Sequence, residues 1–275
     1  MSRDVVQSMW IGPRLSVMEQ LAIRSFMDHG HPFHLYTYDA VEKIPPGTVV
    51  RPAAEILSEE HIFCYQSGYG KGSVAGFANG FRYKLLLERG GWWADLDAVC
   101  LRPLDLPDEH VVGHEREPRG GVHIANGFIK APAGSPLMEY CWEHARKADP
   151  AKVRWGQMGP RLVARAIQEV DVAVRILDPP GFYPVDWWDV WRLIRSRETP
   201  PGEYSIHLWN SQWRRAGHDP DAVYAPDCIY EQLKRRHSVV SPPDAPRGDP
   251  GWWGIPSEAV WRVKLWFAKR LGLVR

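Results

Sequence analysis

The stretch FRYKLLLERGGWWADLD, residues 81–97, passes from a helix pattern through two glycines to a strand pattern. Its first half continues a series of large apolar residues spaced four apart, as on one face of a helix: Phe77, Phe81 and Leu85. We therefore predict a helix over residues 74–89 that ends at Gly90. The aromatic and apolar residues that follow predict a strand over residues 92–101. A helix joined to a strand by a short connection is typical of an α/β fold.

The rest of the chain continues the alternation of strands and helices. Residues 5–11 and 33–38 are predicted strands, and residues 16–29 between them form a predicted helix with a capping box at Ser16 and Glu19. Weak helix is expected at residues 53–60. Further strands are predicted at 111–114 and 124–130, and further helices at 136–147 and 160–170. We expect one α/β catalytic domain over residues 1–240, with a central mixed, mostly parallel sheet and flanking helices.

The residues after this domain have a different composition. A Pro- and Gly-rich run predicts a linker at residues 241–256, and residues 257–275 predict a basic amphipathic helix that carries several tryptophan and leucine side chains. Such a helix can lie on a membrane surface, which suggests peripheral contact with the inner face of a membrane. Lys264 interrupts its apolar face, so an ordinary helix that docks on the protein explains the pattern equally well.

Composition limits the classes of partner. The 275 residues carry 34 Lys and Arg against 33 Asp and Glu, so no overall charge attracts the chain to nucleic acid. The four cysteines are widely spaced and predict neither a disulfide framework nor a zinc site. No uncharged apolar run approaches the roughly 18 residues of a membrane span. We expect a cytoplasmic protein without a nucleic-acid partner.

The pair Asp95 and Asp97 is the first candidate site. Side chains two apart on a strand project from the same face, so a continuous strand would present both carboxylates together. Two close carboxylates repel unless a cation lies between them, and Mn²⁺ or Mg²⁺ prefers such oxygen ligands. An isolated Asp-x-Asp is more often an exposed, solvated strand end. The preceding helix with Arg82 and the Gly-Gly break favour the metal site here.

The central stretch, with Arg102-Pro103-Leu104 behind it, resembles the core motif of glycosyltransferases whose sugar-binding region contains an Asp-x-Asp motif. That group includes Och1-type fungal mannosyltransferases, lactosylceramide α-1,4-galactosyltransferases and, more distantly, the large clostridial glucosylating toxins. The likeness covers roughly residues 5–215. Its flanking parts are Trp10-Ile11-Gly12, Asn126-Gly127-Phe128-Ile129 with Ala131-Pro132, Gly159-Pro160, and His207-Leu208-Trp209 with Ser211 and Trp213.

This resemblance implies a GT-A fold, a single Rossmann-like domain, and a retaining reaction. Trp10 would stack on the nucleobase, although a core tryptophan on a strand is an equally good explanation. Arg82 would bind sugar or phosphate oxygens of the donor. Asp95 would contact hydroxyls of the donor, and Asp97 would coordinate the metal directly. A salt bridge on a helix surface is the plain alternative for Arg82.

The later motifs complete the implied site. His207 would be a further metal ligand or a diphosphate contact, although a lone histidine is more often structural. Ser211 and Trp213 would donate hydrogen bonds to the diphosphate. Asn126 would touch the donor sugar or line the acceptor side, and an Asn-Gly turn is its alternative explanation. The glycine-rich loop 68–72 is expected to be flexible and close to the site.

One residue departs from the family pattern. The family usually has Asp three residues before the arginine, where this chain has Asn79. Asparagine keeps the shape of that side chain but loses its charge and gains hydrogen-bond donors. The identity of the donor sugar, and even full activity, therefore stays open.

The sequence thus predicts a metal-dependent retaining glycosyltransferase of polysaccharide biosynthesis. It would move a hexose or N-acetylhexosamine from a nucleotide-diphosphate sugar, with UDP-sugars favoured, to a hydroxyl of a glycan, glycolipid or small-molecule acceptor. Two alternatives remain at this point. A metal-dependent phosphohydrolase also uses Asp and His ligands, but it usually has several more of them in short motifs. A non-catalytic protein that binds nucleotide-sugars or glycans is compatible with Asn79.

Overall fold

The first strand is the centre from which the sheet is built. In the computed structural model, which describes residues 4–199 and 202–248, β1 (Val6–Trp10) pairs in parallel with β2 (Phe33–Thr37), and β2 pairs in parallel with β3 (Val49–Pro52). Helix α1 (Val17–Asp28) connects β1 to β2. The predicted capping box at its start is confirmed, because Ser16 and Glu19 bond reciprocally to the first turn.

The next helix and strand lie on the other side of β1. Helix α2 (Ala75–Arg89) ends at Gly90, whose φ of 65° lies in the left-handed region, and β4 (Gly91–Ala94) starts at once. Strand β4 pairs in parallel with β1. The chain therefore adds β2 and β3 on one side of β1 and then β4 on the other side. The strand order reverses between the neighbouring strands β1 and β4.

The second half of the chain completes the main sheet. Strand β5 (Ala98–Cys100) lies outside the main sheet. Strands β6 (Val111–Arg116) and β7 (Val122–Ala131) form an antiparallel hairpin, and β8 (Arg175–Leu177) pairs in parallel with β6. The order of the seven strands is β3-β2-β1-β4-β7-β6-β8. Helices α3 (Pro136–Ala145) and α4 (Pro160–Glu169) lie between β7 and β8 in the chain.

The remaining elements bring a late segment back to the acidic pair. Short helices α5 (Pro179–Phe182) and α6 (Trp191–Arg195) precede β9 (Ser205–His207), which pairs antiparallel with β5. Helices α7 (Asn210–Ala216) and α8 (Ile229–Arg236) follow. The predicted α/β domain with a mixed, mostly parallel sheet and flanking helices is confirmed.

The two adjacent tryptophans of β4 pack into different parts of the core. Trp92 is fully buried among residues of the α1 side, including Phe26 and Phe128. Trp93 is 2% exposed and packs in the cluster that contains Phe81 of α2. Because consecutive strand residues point to opposite faces, this pair anchors β4 on both faces of the sheet. Burying two indoles stabilises the strand that leads into Asp95.

Two predicted elements are corrected. Residues 92–101 are not one strand, because the chain turns between Ala94 and Ala98, where the Ala98 backbone N–H donates to the Asp95 carbonyl at 3.1 Å. The two aspartates therefore lie in a turn and do not share a strand face. Residues 53–60 form two short 3₁₀ turns, Ala53–Glu55 and Glu59–His61, in place of a helix. Half of the predicted linker, residues 249–256, and the whole predicted C-terminal helix lie outside the described residues.

Within residues 4–199 and 202–248, no helix combines the length and the apolar character that crossing a bilayer requires. In the same ranges none of the four cysteines forms a disulfide.

We predict that alanine substitutions at two glycines of helix α2 have opposite effects on the free energy of unfolding. Gly80 lies inside the helix and Gly90 at its end. At Gly90, a Cβ would lie 2.5 Å from the Ala133 backbone nitrogen in a left-handed conformation, so Gly90→Ala should lower the free energy of unfolding by about 2 kcal/mol or more. At Gly80, inside α2, a Cβ would make ordinary contacts at 3.8 Å and 3.9 Å. Gly80→Ala should raise the free energy of unfolding by about 0.5 to 1 kcal/mol. Urea unfolding measures both, and equal effects would contradict this explanation of the helix end.

Candidate functional site

The candidate site lies where β1 and β4 end side by side. Trp10 is the last residue of β1, and Asp95 follows β4 directly. Both strands run in the same direction, so their carboxyl ends meet at one edge of the sheet. In open α/β sheets, ligands bind outside this edge where the strand order reverses. The topology thus indicates a binding site between Trp10 and the Asp95–Asp97 turn.

Three potential metal ligands converge in this place. One ligand atom from each of Asp95, Asp97 and His207 lies within 4.8 Å of the others. His207 Nε2 is 3.3 Å from Asp97 Oδ1 and 4.0 Å from Asp95 Oδ2. The imidazole is 7% exposed, whereas the two carboxylates are more accessible. This is the one such group among the described residues, and two carboxylates with an imidazole suit a divalent ion such as Mn²⁺.

A buried arginine, Arg82, forms an ion pair with Asp95. Arg82 Nη2 lies 3.1 Å from Asp95 Oδ1, and its side chain is only 6% exposed. Its Nη1 donates to the Asn126 carbonyl, and its guanidinium lies over the Trp93 ring at 4.8 Å. Trp93 Nε1 donates to the same Asp95 Oδ1 at 2.8 Å. Two donors therefore fix one carboxylate oxygen, which leaves Asp95 Oδ2 to face His207 and the solvent side.

The segment after β9 fixes Asp97 in the same way. The Leu208 backbone N–H donates to the Asp97 carbonyl at 2.7 Å, and the Asn210 backbone N–H donates to Asp97 Oδ2 at 2.8 Å. Between them, Trp209 adopts a left-handed conformation with φ of 60°. This conformation is rare for a large side chain and costs about 1 to 3 kcal/mol. Because the chain turns at Trp209, the backbone N–H groups of the residues before and after it, Leu208 and Asn210, both reach Asp97.

Asn210 also connects the site to the first helix. Its Nδ2 donates to Glu19 Oε1 at 2.7 Å, and Glu19 Oε2 accepts from the Ser16 backbone N–H at 2.7 Å. The capping box of α1 therefore supports Asn210, and through it the orientation of Asp97. Such supporting hydrogen bonds hold ligand groups in place around metal sites.

The charges of the site affect one another. Burial would raise the pKa of Asp95, but the Arg82 guanidinium and His207 outweigh it and lower that pKa below its ordinary value. Burial would lower the pKa of His207, but Asp97 and Asp95 outweigh it and raise that pKa above its ordinary value. The Trp209 backbone nitrogen lies 3.2 Å from His207 Nδ1, so Nε2 is the ring nitrogen that faces Asp97.

The predicted asparagines form a hydrogen-bonded pair beside this cluster. Asn126 Nδ2 donates to Asn79 Oδ1 at 2.8 Å, and Asn126 provides the carbonyl that Arg82 contacts. Asn79 is 7% exposed. Because Asn79 acts as an acceptor here, an aspartate could make the same bond. The departure from the family pattern thus removes a charge but keeps this hydrogen bond.

Three other predicted residues have different surroundings. Trp10 is partly buried, and its Nε1 has no hydrogen-bond partner among the described residues. Ser211 is exposed on α7. Trp213 is fully buried and packs against Tyr224 and Tyr230. Core side chains cover the indole of Trp213 in this conformation, and its hydrogen bond to a diphosphate stays a prediction.

The sequence reasoning missed several residues of the site. Trp93 was part of the central motif, and Asn210 lies between quoted residues of the late motif, but only the fold shows that they bond to the two aspartates. Gly127 was quoted in a flanking motif without a role in the site, and Tyr183 gave no sequence signal. The Tyr183 ring lies 5.5 Å from the His207 ring, and Gly127 lies on the bulged part of β7 beside Asp95.

The predicted glycine-rich loop contacts the segment after β9. Gln212 Nε2 donates to the Tyr69 hydroxyl at 3.0 Å, and the Arg215 guanidinium lies 3.5 Å from the centre of the Tyr69 ring. Trp155 packs edge-on against Tyr69 at 5.2 Å. Tyr69 and Trp155 are the large aromatic side chains that are exposed among the described residues. The glycine-rich loop therefore contacts helix α7, whose first residue, Asn210, donates to Asp97. The loop thus lies close to the candidate site.

Comparisons with known proteins give distant likenesses. No protein-family model and no curated protein sequence matches the chain. The structure of the PaToxG glycosyltransferase is similar over 86% of this chain and 86% of its own, with 11% identity and a TM-score of 0.43. The glycosyltransferase GlyE of Streptococcus pneumoniae TIGR4 is similar over 89% of this chain and 66% of its own, with 13% identity and a TM-score of 0.42. A transferase with two cysteine-to-serine substitutions covers 61% of this chain and 84% of its own, with 10% identity and a TM-score of 0.38. These remote likenesses assign no residue of the site.

We predict that binding of Mn²⁺ depends on pH through His207. Below the raised pKa of His207, the imidazolium pairs with the carboxylates and excludes the ion, so the affinity should increase as the pH rises through that pKa and then level off. Calorimetric titration with MnCl₂ from about pH 6 to pH 9 measures this. His207→Gln should weaken binding by about ten- to hundredfold and flatten the dependence. Glu169→Gln, on the exposed end of α4, is the control and should behave as the wild type. An unchanged slope in His207→Gln would contradict the role of this histidine.

Proposed function

We propose that the protein is a metal-dependent glycosyltransferase of the GT-A type, which binds a nucleotide-diphosphate sugar at the carboxyl edge between β1 and β4. The observation that carries this proposal is the Asp95–Asp97–His207 group at the point where the strand order reverses. A site at that edge suits a nucleotide, and the three ligands suit a divalent ion next to it. The sequence resemblance supports the same assignment.

Asp97, Asp95 and His207 would hold Mn²⁺ or Mg²⁺ through the oxygens and the nitrogen that face one another. A divalent ion bound there would neutralise the charge of the diphosphate leaving group. The protein prepares this site in advance, because Asn210 and Leu208 fix Asp97 while Arg82 and Trp93 fix Asp95. Ligands that need little rearrangement lose less free energy when the ion binds.

Arg82 has a different role here from the one the resemblance implies. Its guanidinium is already occupied by Asp95 and by the Asn126 carbonyl, and it is nearly fully buried. We therefore infer that Arg82 orients Asp95 and neutralises part of the acidic charge before the ion arrives. For Trp10, which is partly buried at the end of β1, we keep the stacking on the nucleobase that the resemblance implies.

The donor, the acceptor and the stereochemistry rest on the sequence resemblance. We propose transfer of a hexose or N-acetylhexosamine, preferably from a UDP-sugar, with retention of the anomeric configuration. The acceptor is a hydroxyl of a glycan, glycolipid or small molecule, and the leaving phosphate takes its proton. Contact of residues 257–275 with the inner face of a membrane, in a cytoplasmic protein, belongs to the same proposal.

A phosphohydrolase is less well supported. Two-metal hydrolases hold two ions about 3.5 to 4 Å apart and need ligands for both. In residues 4–199 and 202–248, Asp95, Asp97 and His207 form the one group of three or more candidate ligands. The non-catalytic alternative rested on Asn79, but its hydrogen bond to Asn126 is one that an aspartate could also make.

We predict that nucleotide release requires Asp97. Wild type with MnCl₂ should release the nucleoside diphosphate from one of UDP-glucose, UDP-galactose, UDP-N-acetylglucosamine and GDP-mannose, by slow hydrolysis or by transfer to a supplied acceptor. Asp97→Ala should lower the rate by about a hundredfold or more, because the charge on the leaving group is no longer neutralised. Glu169→Ala, which removes an exposed carboxylate outside the site, should keep the wild-type rate. Equal release by Asp97→Ala and wild type would contradict the mechanism.

A binding measurement distinguishes the non-catalytic alternative. Tight, Mn²⁺-dependent binding of a UDP-sugar without turnover across a broad acceptor library would favour a binding protein. Release of inorganic phosphate from the nucleotide would favour the phosphohydrolase.

A further inference from the structure

A cavity of about 810 Å³ lies beside helix α8, outside the candidate site. Its lining comes from the residues after β5, the residues before β9 and the end of α8. Strands β5 and β9 pair antiparallel, with Asp97 and His207 at one end of the pair. At the other end, where the cavity lies, the Leu101 backbone N–H donates to the Tyr204 carbonyl at 2.8 Å. A ligand in this cavity would therefore not share the proposed metal site.

Three arginines around this cavity have no acidic partner. Arg102, Arg235 and Arg236 line it, and within residues 4–199 and 202–248 none of them forms a salt bridge. Arg197, in contrast, pairs with Asp227 at 2.5 Å. Residues 249–275 carry five Lys and Arg against two Asp and Glu, so that part of the sequence has a surplus of positive charge as well. Like charges that line one cavity repel one another, and a bound anion would relieve this repulsion.

The three guanidinium groups are nevertheless held in place. Their uncharged partners are the Tyr204 ring for Arg102 at 4.2 Å, the Leu101 carbonyl for Arg236 at 3.4 Å and the Pro226 carbonyl for Arg235. A guanidinium has five N–H donors, so each of these contacts leaves most of the donors free. The contacts thus orient the arginines without neutralising them.

The charges of the lining determine which anion fits. Glu203 is the one acidic side chain of the lining among the described residues, so three positive charges stand against one negative charge. A phosphate monoester carries a charge of about −1.5 to −2 near neutral pH and has three acceptor oxygens. A carboxylate has one charge and two oxygens. Because arginine binds phosphate through paired donors and the surplus is two charges, a phosphate monoester fits this cavity better than a carboxylate.

We propose that this cavity binds a phosphate monoester, which either a soluble compound or the headgroup of a membrane lipid supplies. Arg102, Arg235 and Arg236 donate hydrogen bonds to its oxygens, and Glu203 limits the affinity through repulsion. The volume of the cavity lies within the range of small-molecule sites. The inference goes beyond the proposed function, because it uses no residue of the candidate site.

Calorimetric titration with glycerol 3-phosphate tests the cavity. EDTA in the buffer removes any metal ion that could bind phosphate at the candidate site. The full chain should bind glycerol 3-phosphate, and the double variant Arg235→Gln with Arg236→Gln should weaken the affinity about tenfold or more, because charge-assisted hydrogen bonds are lost. The matched control is Arg161→Gln with Arg165→Gln, which removes two exposed arginines of α4 and should keep the wild-type affinity.

Glu203→Gln should have the opposite effect. It removes the repulsive carboxylate of the lining and should strengthen the binding of glycerol 3-phosphate about two- to fivefold. A gain of affinity cannot result from a loss of folding. Glu169→Gln removes an exposed carboxylate on α4 and should bind as the wild type does.

Vesicle sedimentation identifies the source of the phosphate. Phosphatidylcholine vesicles with and without phosphatidate, a lipid with a phosphate monoester headgroup, are compared. If a lipid supplies the phosphate, the wild type should pellet with the phosphatidate vesicles and the double variant of Arg235 and Arg236 should pellet less. If a soluble compound supplies it, both proteins should pellet equally, and only the binding of glycerol 3-phosphate should depend on the two arginines.

Three results would overturn the inference. One is a wild type that binds neither glycerol 3-phosphate nor phosphatidate vesicles. Another is a double variant of Arg235 and Arg236 that binds both probes as the wild type does. The third is an equal gain from Glu203→Gln and Glu169→Gln, which would indicate the overall charge of the protein and not the cavity. Metal-dependent nucleotide release tests the proposed function separately, so that function would stand or fail independently of these results.

Discussion

The contact between the Arg82 guanidinium and the Asp95 carboxylate holds together the parts of the chain that form the site. Arg82 belongs to α2, Asp95 to the turn after β4, and the carbonyl that Arg82 also contacts belongs to β7. Because the arginine is buried, it needs partners for its charge, and breaking such a pair leaves an uncompensated charge in the interior. The same contact compensates one of two neighbouring carboxylates. The protein itself therefore compensates part of the charge of the acidic pair.

Two features of the backbone then bring the remaining ligands to this pair. The chain turns after β4, which ends the strand and directs Asp97 toward β9, and the left-handed residue Trp209 directs His207 and the Asn210 N–H back toward Asp97. Both features are unfavourable or irregular in isolation. Strained or irregular backbone commonly occurs at functional sites, where packing elsewhere supports it. Here the indoles of Trp92 and Trp93 and the capping box of α1 provide that support.

The parts of the fold that local patterns control were predictable from the sequence. Helix α2 follows from apolar spacing and its glycine stop, and the start of α1 follows from Ser16 and Glu19. The turn at Asp95 was not predictable in this way, because residues 92–101 have a strand composition and the break depends on hydrogen bonds to β9, more than 100 residues later. Likewise, the Asp95–Asp97–His207 group came from motif order, but the burial of Trp213 was not predictable, since sequence order does not tell whether an indole faces the cleft or the core. Tyr183 carries no local signal, and the motif with Gly127 gave it no role, because the proximity of both residues to His207 exists only in the folded chain.

The most direct measurement of the central claim is anomalous diffraction at the manganese edge from crystals grown with MnCl₂ and UDP. The account predicts one strong anomalous peak between Asp97 and His207, about 2.0 to 2.3 Å from the ligand atoms, with the UDP diphosphate bound to the same ion and the uracil next to Trp10. A map with UDP bound at this edge but no anomalous peak at the Asp95–Asp97–His207 group would contradict a metal site. Manganese and UDP bound together elsewhere on the molecule would contradict the assignment of the site itself.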